Sequence, residues 1–278
     1  MNSENVNPEA GGDSLPQQPD VVLVHGMWSL PETLRELHDA FVAMGYGVES
    51  LCLPHHYEKS AYNDDRKARL AAARLEEYVD HIVEKIRQKS RPPILVGHSM
   101  GALLAQLAAA RVPCERLVLL SSAAPAGING LGLSVIRTLG RNLLQFPLWK
   151  AVTEVTEAQV SYGIANAQSP ALQQHIARNC TYESGMATWQ ISMGLMLRSR
   201  SSAHVDFPRI QCPVLIIGGT ADRITPISIQ RQIANRFRGQ ATLIEIADCC
   251  HWTIGGEFFP QIQSAIHEWL GFKEQQAR

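Results

Sequence analysis

The pentapeptide Gly97-His98-Ser99-Met100-Gly101 constrains this chain more than any other feature. It follows an apolar run over 92–96 and opens an Ala/Leu-rich stretch over 100–111. A strand-to-helix turn this tight has room only for glycine two residues either side of the serine. Its strain holds the hydroxyl out above a sheet, beside the positive end of the following helix. The motif therefore predicts a parallel sheet with its chemistry at the carboxyl ends of the strands.

The remaining hydrophobic pattern has the matching rhythm. Short β-branched runs predict strands over 21–24, 48–53, 92–96, 117–120, 214–217 and 242–246. Apolar residues at helical spacing predict helices over 31–44, 65–88, 100–111, 226–237 and 259–270. Strand and helix alternating through short joints give an α/β fold, a mostly parallel sheet of about six strands covered on both faces. The alternation stops over 127–207, where only helical patterns are expected (131–144, 151–165, 170–177 and 184–197) and no clear strand. That segment reads as a helical cap inserted into a core of 20–126 and 208–278, after a strand's carboxyl end, where open α/β sheets bind ligands.

Composition removes other classes. The 45% hydrophobic fraction suffices for a sizeable core, and 25 Lys+Arg against 26 Asp+Glu leaves a net charge of −1. With no basic excess, nucleic-acid binding has no electrostatic footprint. No apolar stretch reaches the ~18 residues of a membrane span. Residues 1–19 have neither a basic start nor an apolar core, so they are expected to be a mobile tail, not a secretory signal. Six scattered cysteines without a CxxC pair fit reduced thiols in a cytoplasmic protein.

A serine hydroxyl needs a base to become a nucleophile. Among ten histidines, His251 follows the last strand and so stands on the same sheet edge as Ser99. His98 lies inside the turn, His25 is placed to order its loop, and His55 and His56 are expected in a solvated loop. The base in turn needs a carboxylate. Asp222, just past the strand over 214–217, is preferred to Asp248, whose short loop to His251 would have to fold back. Developing negative charge needs donors, for which the N–H groups of Met27 and Met100 are the candidates. The order Ser, Asp, His along the chain is that of one triad class.

The chain resembles the α/β-hydrolase superfamily over 21–271, and looks like its esterase and lactonase-type members with a helical cap. The resemblance is carried by Val-Leu-Val-His-Gly at 22–26, Val-Gly-His-Ser-Met-Gly at 96–101, Cys-Pro-Val-Leu-Ile-Ile-Gly-Gly-Thr-Ala-Asp at 212–222, and His251. It implies that two of the family's edge strands are missing before residue 21. Ala102 after the second elbow glycine, and Cys-Cys before His251, depart from the usual pattern without touching the triad.

Together these residues imply a serine hydrolase without cofactor or metal, cleaving a carboxylic ester, thioester or lactone of a small apolar molecule. The same triad could serve carbon–carbon hydrolysis or acyl transfer, and a non-catalytic receptor is the remote alternative. Trp28, and a stripe of Met186, Trp189, Met193 and Met196 on one helix, are candidate substrate contacts, with core packing as the rival role for the stripe.

Overall fold

Residues 19–130 and 132–271 are described in the computed structural model. The tail expected over 1–19 lies, Pro19 apart, outside them. The first half of the chain supplies strands β1 (Val21–Val24), β2 (Val48–Leu51), β3 (Ile94–His98) and β4 (Arg116–Leu120). Between them run helices α1 (Arg35–Ala43), α2 (Asp64–Ala72), α3 (Leu75–Arg87) and α4 (Met100–Ala109). Pro31 opens a 3₁₀ turn before α1, where a missing N–H costs nothing. The Asn63 side chain caps α2 by accepting from Arg66 N–H at 2.9 Å.

One long helix over 65–88 is a correction. The chain is extended at Ala73 and Arg74, although neither glycine nor proline marks the place. Polar groups from far along the chain hold the break open. The Gln190 side chain accepts from Leu75 N–H at 2.8 Å, and Ser184 Oγ donates to the Ala73 carbonyl at 2.6 Å.

Both partners belong to the segment between β4 and the next core strand. It carries α5 (Leu133–Leu143), β5 (Val152–Thr153), α6 (Glu157–Gln159), α7 (Pro170–Asn179), β6 (Glu183–Ser184), α8 (Gly185–Ser192) and α9 (Gly194–Leu197). The expectation that it holds no strand is corrected by the two-residue antiparallel pair β5–β6. The expected helix over 151–165 is in fact α6 followed by a π turn, Val160–Ile164. The pattern over 184–197 is split at Met193 into α8 and α9. The side chains of Ile136 and Leu139 in α5 lie outside what is described.

The core resumes with β7 (Val214–Gly219), α10 (Ile227–Arg236), β8 (Ala241–Ile246) and α11 (Phe259–Leu270). All six core strands are parallel, in the order β2-β1-β3-β4-β7-β8. Strand alternation divides their side chains between two buried faces. Val22, Val24, Leu95 and Ile216 pack with α3, α4 and α10, whereas Leu23, Val96, Leu120 and Ile217 pack with α1 and α11. The inner strands are fully buried on both sides, as continuous apolar runs require. The loops after β1, β3, β7 and β8 therefore meet at one edge.

Candidate active site

Ser99 stands between β3 and α4 with φ +56° and ψ −120°, a conformation that side chains rarely adopt. The neighbours fix it. Ser99 N–H donates to the Leu120 carbonyl at 3.0 Å, while its own carbonyl accepts from Ala102 and Ala123 N–H at 3.1 and 3.0 Å. A Cβ at Gly101 would strike the carbonyls of Val24 and His25, so only glycine lets α4 approach β1 this closely.

A second close approach brings the other two groups in. Gly219 ends β7 against the Cys249 carbonyl, where a Cβ would collide. The loops after β7 and β8 are then tied together by Ala221 N–H to the Cys249 carbonyl (2.9 Å) and Asp248 N–H to Thr220 Oγ1 (2.8 Å). These ties put His251 between Ser99 and Asp222. His251 Nδ1 lies 2.8 Å from Asp222 Oδ2, and His251 Nε2 lies 2.9 Å from Ser99 Oγ. All three side chains are buried. Asp248, the weighed rival, is exposed at the far end of its loop.

Four partners hold the Asp222 carboxylate. Oδ1 accepts from the N–H groups of Ile224 and Thr225 at 2.8 Å each, and Oδ2 from His251 Nδ1–H and Thr225 Oγ1–H. Burial alone would raise its pKa, but the His251 imidazole and these N–H groups outweigh burial and hold it below the usual range. A charged carboxylate keeps the His251 proton on Nδ1 and leaves Nε2 free to accept from the serine hydroxyl. Sequence reasoning missed Thr225, whose hydroxyl lies 3.2 Å from His251 Nδ1 and shares its one proton between Asp222 Oδ2 and the Ser121 carbonyl. No sequence signal marked it.

The other histidines separate by environment. His98 is buried with its pKa pushed down to about 3 by desolvation and the neighbouring His251. It is neutral, and donates Nε2–H to the His251 carbonyl at 3.0 Å. His25 is also pushed down to about 3, by burial and by His56, and its Nε2 accepts from Leu53 N–H, so it orders its loop as expected. His55 is part-exposed beside Glu77. His56 corrects the expectation of a solvated loop: it is buried, with Nε2 3.1 Å from Glu183 Oε2 and Nδ1 3.1 Å from the Pro54 carbonyl.

Ser99, His98 and His251 form the floor of a cavity of about 130 Å³. Met27 and Trp28 line it from the loop after β1. Met100 opens α4, so its N–H has no partner one turn back. Trp28 Nε1–H donates to Thr153 Oγ1 of β5 at 3.0 Å, tying that loop to the inserted segment. The segment roofs the cavity with Val135 and Leu143 of α5, Ile176 of α7, and Thr188, Ile191 and Ser192 of α8. The proposed stripe of Met186, Trp189 and Met193 is on a different face of α8 and does not line the cavity. The Trp189 ring lies edge-on to Trp149 at 5.9 Å, and Met196 is exposed. The physical reason is the register of α8, which is set by Gly185 pressed against the Leu148 and Ala151 carbonyls.

The sequence pattern of the alpha/beta hydrolase family matches residues 21–255. A pimeloyl-[acyl-carrier protein] methyl ester esterase of Xylella fastidiosa (strain M12) is 27% identical over 255 residues, covering 84% of this chain and 88% of its own. Among solved structures, the monoacylglycerol lipase of Paleococcus ferrophilus is similar with a TM-score of 0.66 at 22% identity, over 91% of this chain and 95% of that one. Polyneuridine aldehyde esterase gives a TM-score of 0.66 at 13% identity, over 91% of this chain and all of its own. The structural likenesses concern the fold.

Proposed function

The chain belongs to the alpha/beta hydrolase family, and from that premise we propose that Ser99, His251 and Asp222 form a triad that cleaves a carboxylic ester, thioester or lactone. One observation supports this above all: an unbroken chain of hydrogen bonds from Ser99 Oγ through both nitrogens of His251 to Asp222, buried on the floor of an apolar cavity. Ser99 Oγ attacks the carbonyl carbon as its proton passes to His251 Nε2. Asp222 stabilises the resulting imidazolium. The carbonyl oxygen takes up negative charge, held by the N–H groups of Met27 and Met100. As the intermediate collapses, His251 returns the proton to the leaving oxygen or sulfur, and an acyl group remains on Ser99. Water, deprotonated by His251, then releases the carboxylic acid and restores the serine.

Residues 127–207 act as the cap of a core formed by 20–126 and 208–278, of which 272–278 lie outside the described residues. Within the ester class, the small apolar chamber over Ser99 favours a compact, apolar substrate. A cavity of roughly 150 Å³ holds one benzene ring, comparable with the 130 Å³ here. The unpaired cysteines fit a reducing, cytoplasmic setting. No described helix is long and apolar enough to cross a membrane.

A panel of p-nitrophenyl esters, lactones and thioesters, with the products identified by mass spectrometry, tests this. Carboxylic acid should be released by the wild type and not by Ser99→Ala. Rates should fall at least about tenfold from butanoate to palmitate, because the chamber is small. Acid release unchanged in Ser99→Ala would end the triad assignment, and a faster palmitate would end the compact-substrate reading.

A further inference from the structure

Large apolar side chains exposed to water are concentrated on the inserted segment. Leu133, Leu144, Phe146 and Met196 are 89%, 84%, 88% and 76% exposed, and Leu197 is 42% exposed. Isolated exposed apolar residues need no explanation, but a group of them does. They belong to one region. Gly127 N–H donates to the Gly194 carbonyl, joining the start of the segment to α9. From the end of α5, Phe146 stacks edge-on with Trp149 at 5.6 Å, and Trp149 with Trp189 of α8 at 5.9 Å.

Along two stretches of the segment that carries them, the charged residues have one sign in sequence. Stretches 127–153 and 184–205 contain Arg137, Arg141, Lys150, Arg198 and Arg200, and not one aspartate or glutamate, in a chain whose net charge is −1. Among the described residues, none of Arg137, Lys150, Arg198 or Arg200 is in an ion pair. Arg137 instead lies over the Tyr162 ring at 4.2 Å.

We propose that this face of the inserted segment docks on an anionic lipid surface. Side chains more than three-quarters exposed stand proud of the protein, with little rigid wall beside them for a folded partner to match. They suit a fluid apolar phase, and the surrounding cations suit its negative headgroups. The face also adjoins the site. Val135 and Leu143 of α5 line the cavity over Ser99, while Leu133 at the start of the same helix and Leu144 just after it face solvent. An apolar ester dissolved in the lipid would thus be concentrated next to the roof of the cavity. That last step rests on the proposed ester hydrolysis; the docking does not.

Vesicle flotation tests the docking. The full chain is mixed with phosphatidylcholine vesicles, with or without phosphatidylglycerol, at low and high salt. It should bind the phosphatidylglycerol vesicles at least about tenfold more tightly than the neutral ones, and salt should weaken that preference. Leu144→Ser/Met196→Ser and Arg198→Glu/Arg200→Glu should each reduce binding at least about tenfold, while turnover of soluble p-nitrophenyl acetate stays within about twofold. Because all four positions are exposed, the variants should fold, and circular dichroism verifies this independently of turnover. Absence of wild-type flotation would overturn the proposal, as would equal flotation of the variants. A concentration-dependent dimer abolished by the same substitutions would overturn it in favour of a second copy of the chain. Wild-type flotation that is lost in the variants, with no ester turnover in any protein, would sustain the docking and refute the hydrolase reading alone.

Discussion

Ser99 has a positive φ that its side chain disfavours, and the energy to hold it there comes from hydrogen bonds on both sides of the turn. Gly101 belongs to the same arrangement. Gly101→Ala should destabilise the protein by roughly 3 kcal/mol or more, because the added methyl meets two backbone carbonyls that cannot retreat. Urea midpoints would measure it, and an unchanged midpoint would mean the close approach is not as tight as described. The chemistry is equally local. Ser99→Ala and His251→Ala should each remove nearly all turnover, and the double variant should be little worse, because the triad acts as a unit. Asp222→Asn should lower kcat by about 10⁴, whereas Asp248→Asn, out in solvent, should stay within about twofold of wild type. Steady-state kinetics decides between them, and the reverse ranking would move the acid to Asp248.

At the level of elements, legibility depended on whether the cause of a structure lies nearby in the chain. The core strands, the elbow helix and α11 show their own periodicity, so their places could be read directly. The break between α2 and α3 could not, since its causes are Gln190 and Ser184, more than a hundred residues away. The burial of His56 is similar, because it depends on Glu183 of β6. Both nitrogens of His56 face oxygens, Glu183 Oε2 and the Pro54 carbonyl, an arrangement that favours the doubly protonated ring. Burial opposes that charge, but the Glu183 carboxylate outweighs it and raises the His56 pKa above its ordinary 6.5. Glu183 also accepts from Tyr78 Oη–H and Ser184 N–H. The cluster thus joins the loop after β2, α3 and the inserted segment.

The sign of its pH effect follows. A folded pKa above the unfolded one stabilises fully below the unfolded value, and that stability is lost as pH rises through the folded pKa. His25 and His98, pushed down to about 3, act oppositely and lose stability as pH falls below 6.5. Subtracting a variant isolates the His56 contribution. Glu183→Gln should lower Tm most below pH 6.5, and the gap to wild type should narrow as pH rises. A gap that is constant across pH would show that His56 is not charged in the folded protein. The α8 stripe is judged the same way. With Trp189 against Trp149 and away from the cavity, Trp189→Ala should cost about 2 kcal/mol of stability, below the range for a fully buried tryptophan because this one is only partly buried. It should lower kcat/KM equally for short and long esters. A loss confined to bulky esters would return the stripe to the substrate.

On the scale of the whole molecule, the sheet gathers residues from three distant stretches of chain at one edge. Parallel strands buried on both faces leave polar groups to the loops, and it is the carboxyl-end loops that meet at the binding edge. The triad was therefore readable from motif and strand order. The cavity's roof was not. Which face of α8 looks inward depends on how Gly185 seats against the Leu148 and Ala151 carbonyls, a long-range fit that apolar spacing does not encode. The family's shared scaffold explains the floor of the site, and residues of the inserted segment line the rest of it.

In the proposed mechanism, His251 and Asp222 activate Ser99. A fluorophosphonate probe followed by peptide mass spectrometry measures this without knowledge of the natural substrate, because it reacts with serines whose proton a base removes. Wild-type protein should be labelled once, at Ser99, and labelling should slow by orders of magnitude in His251→Ala although Ser99 is still present. Labelling of another residue, or the same rate at Ser99 without His251, would contradict it.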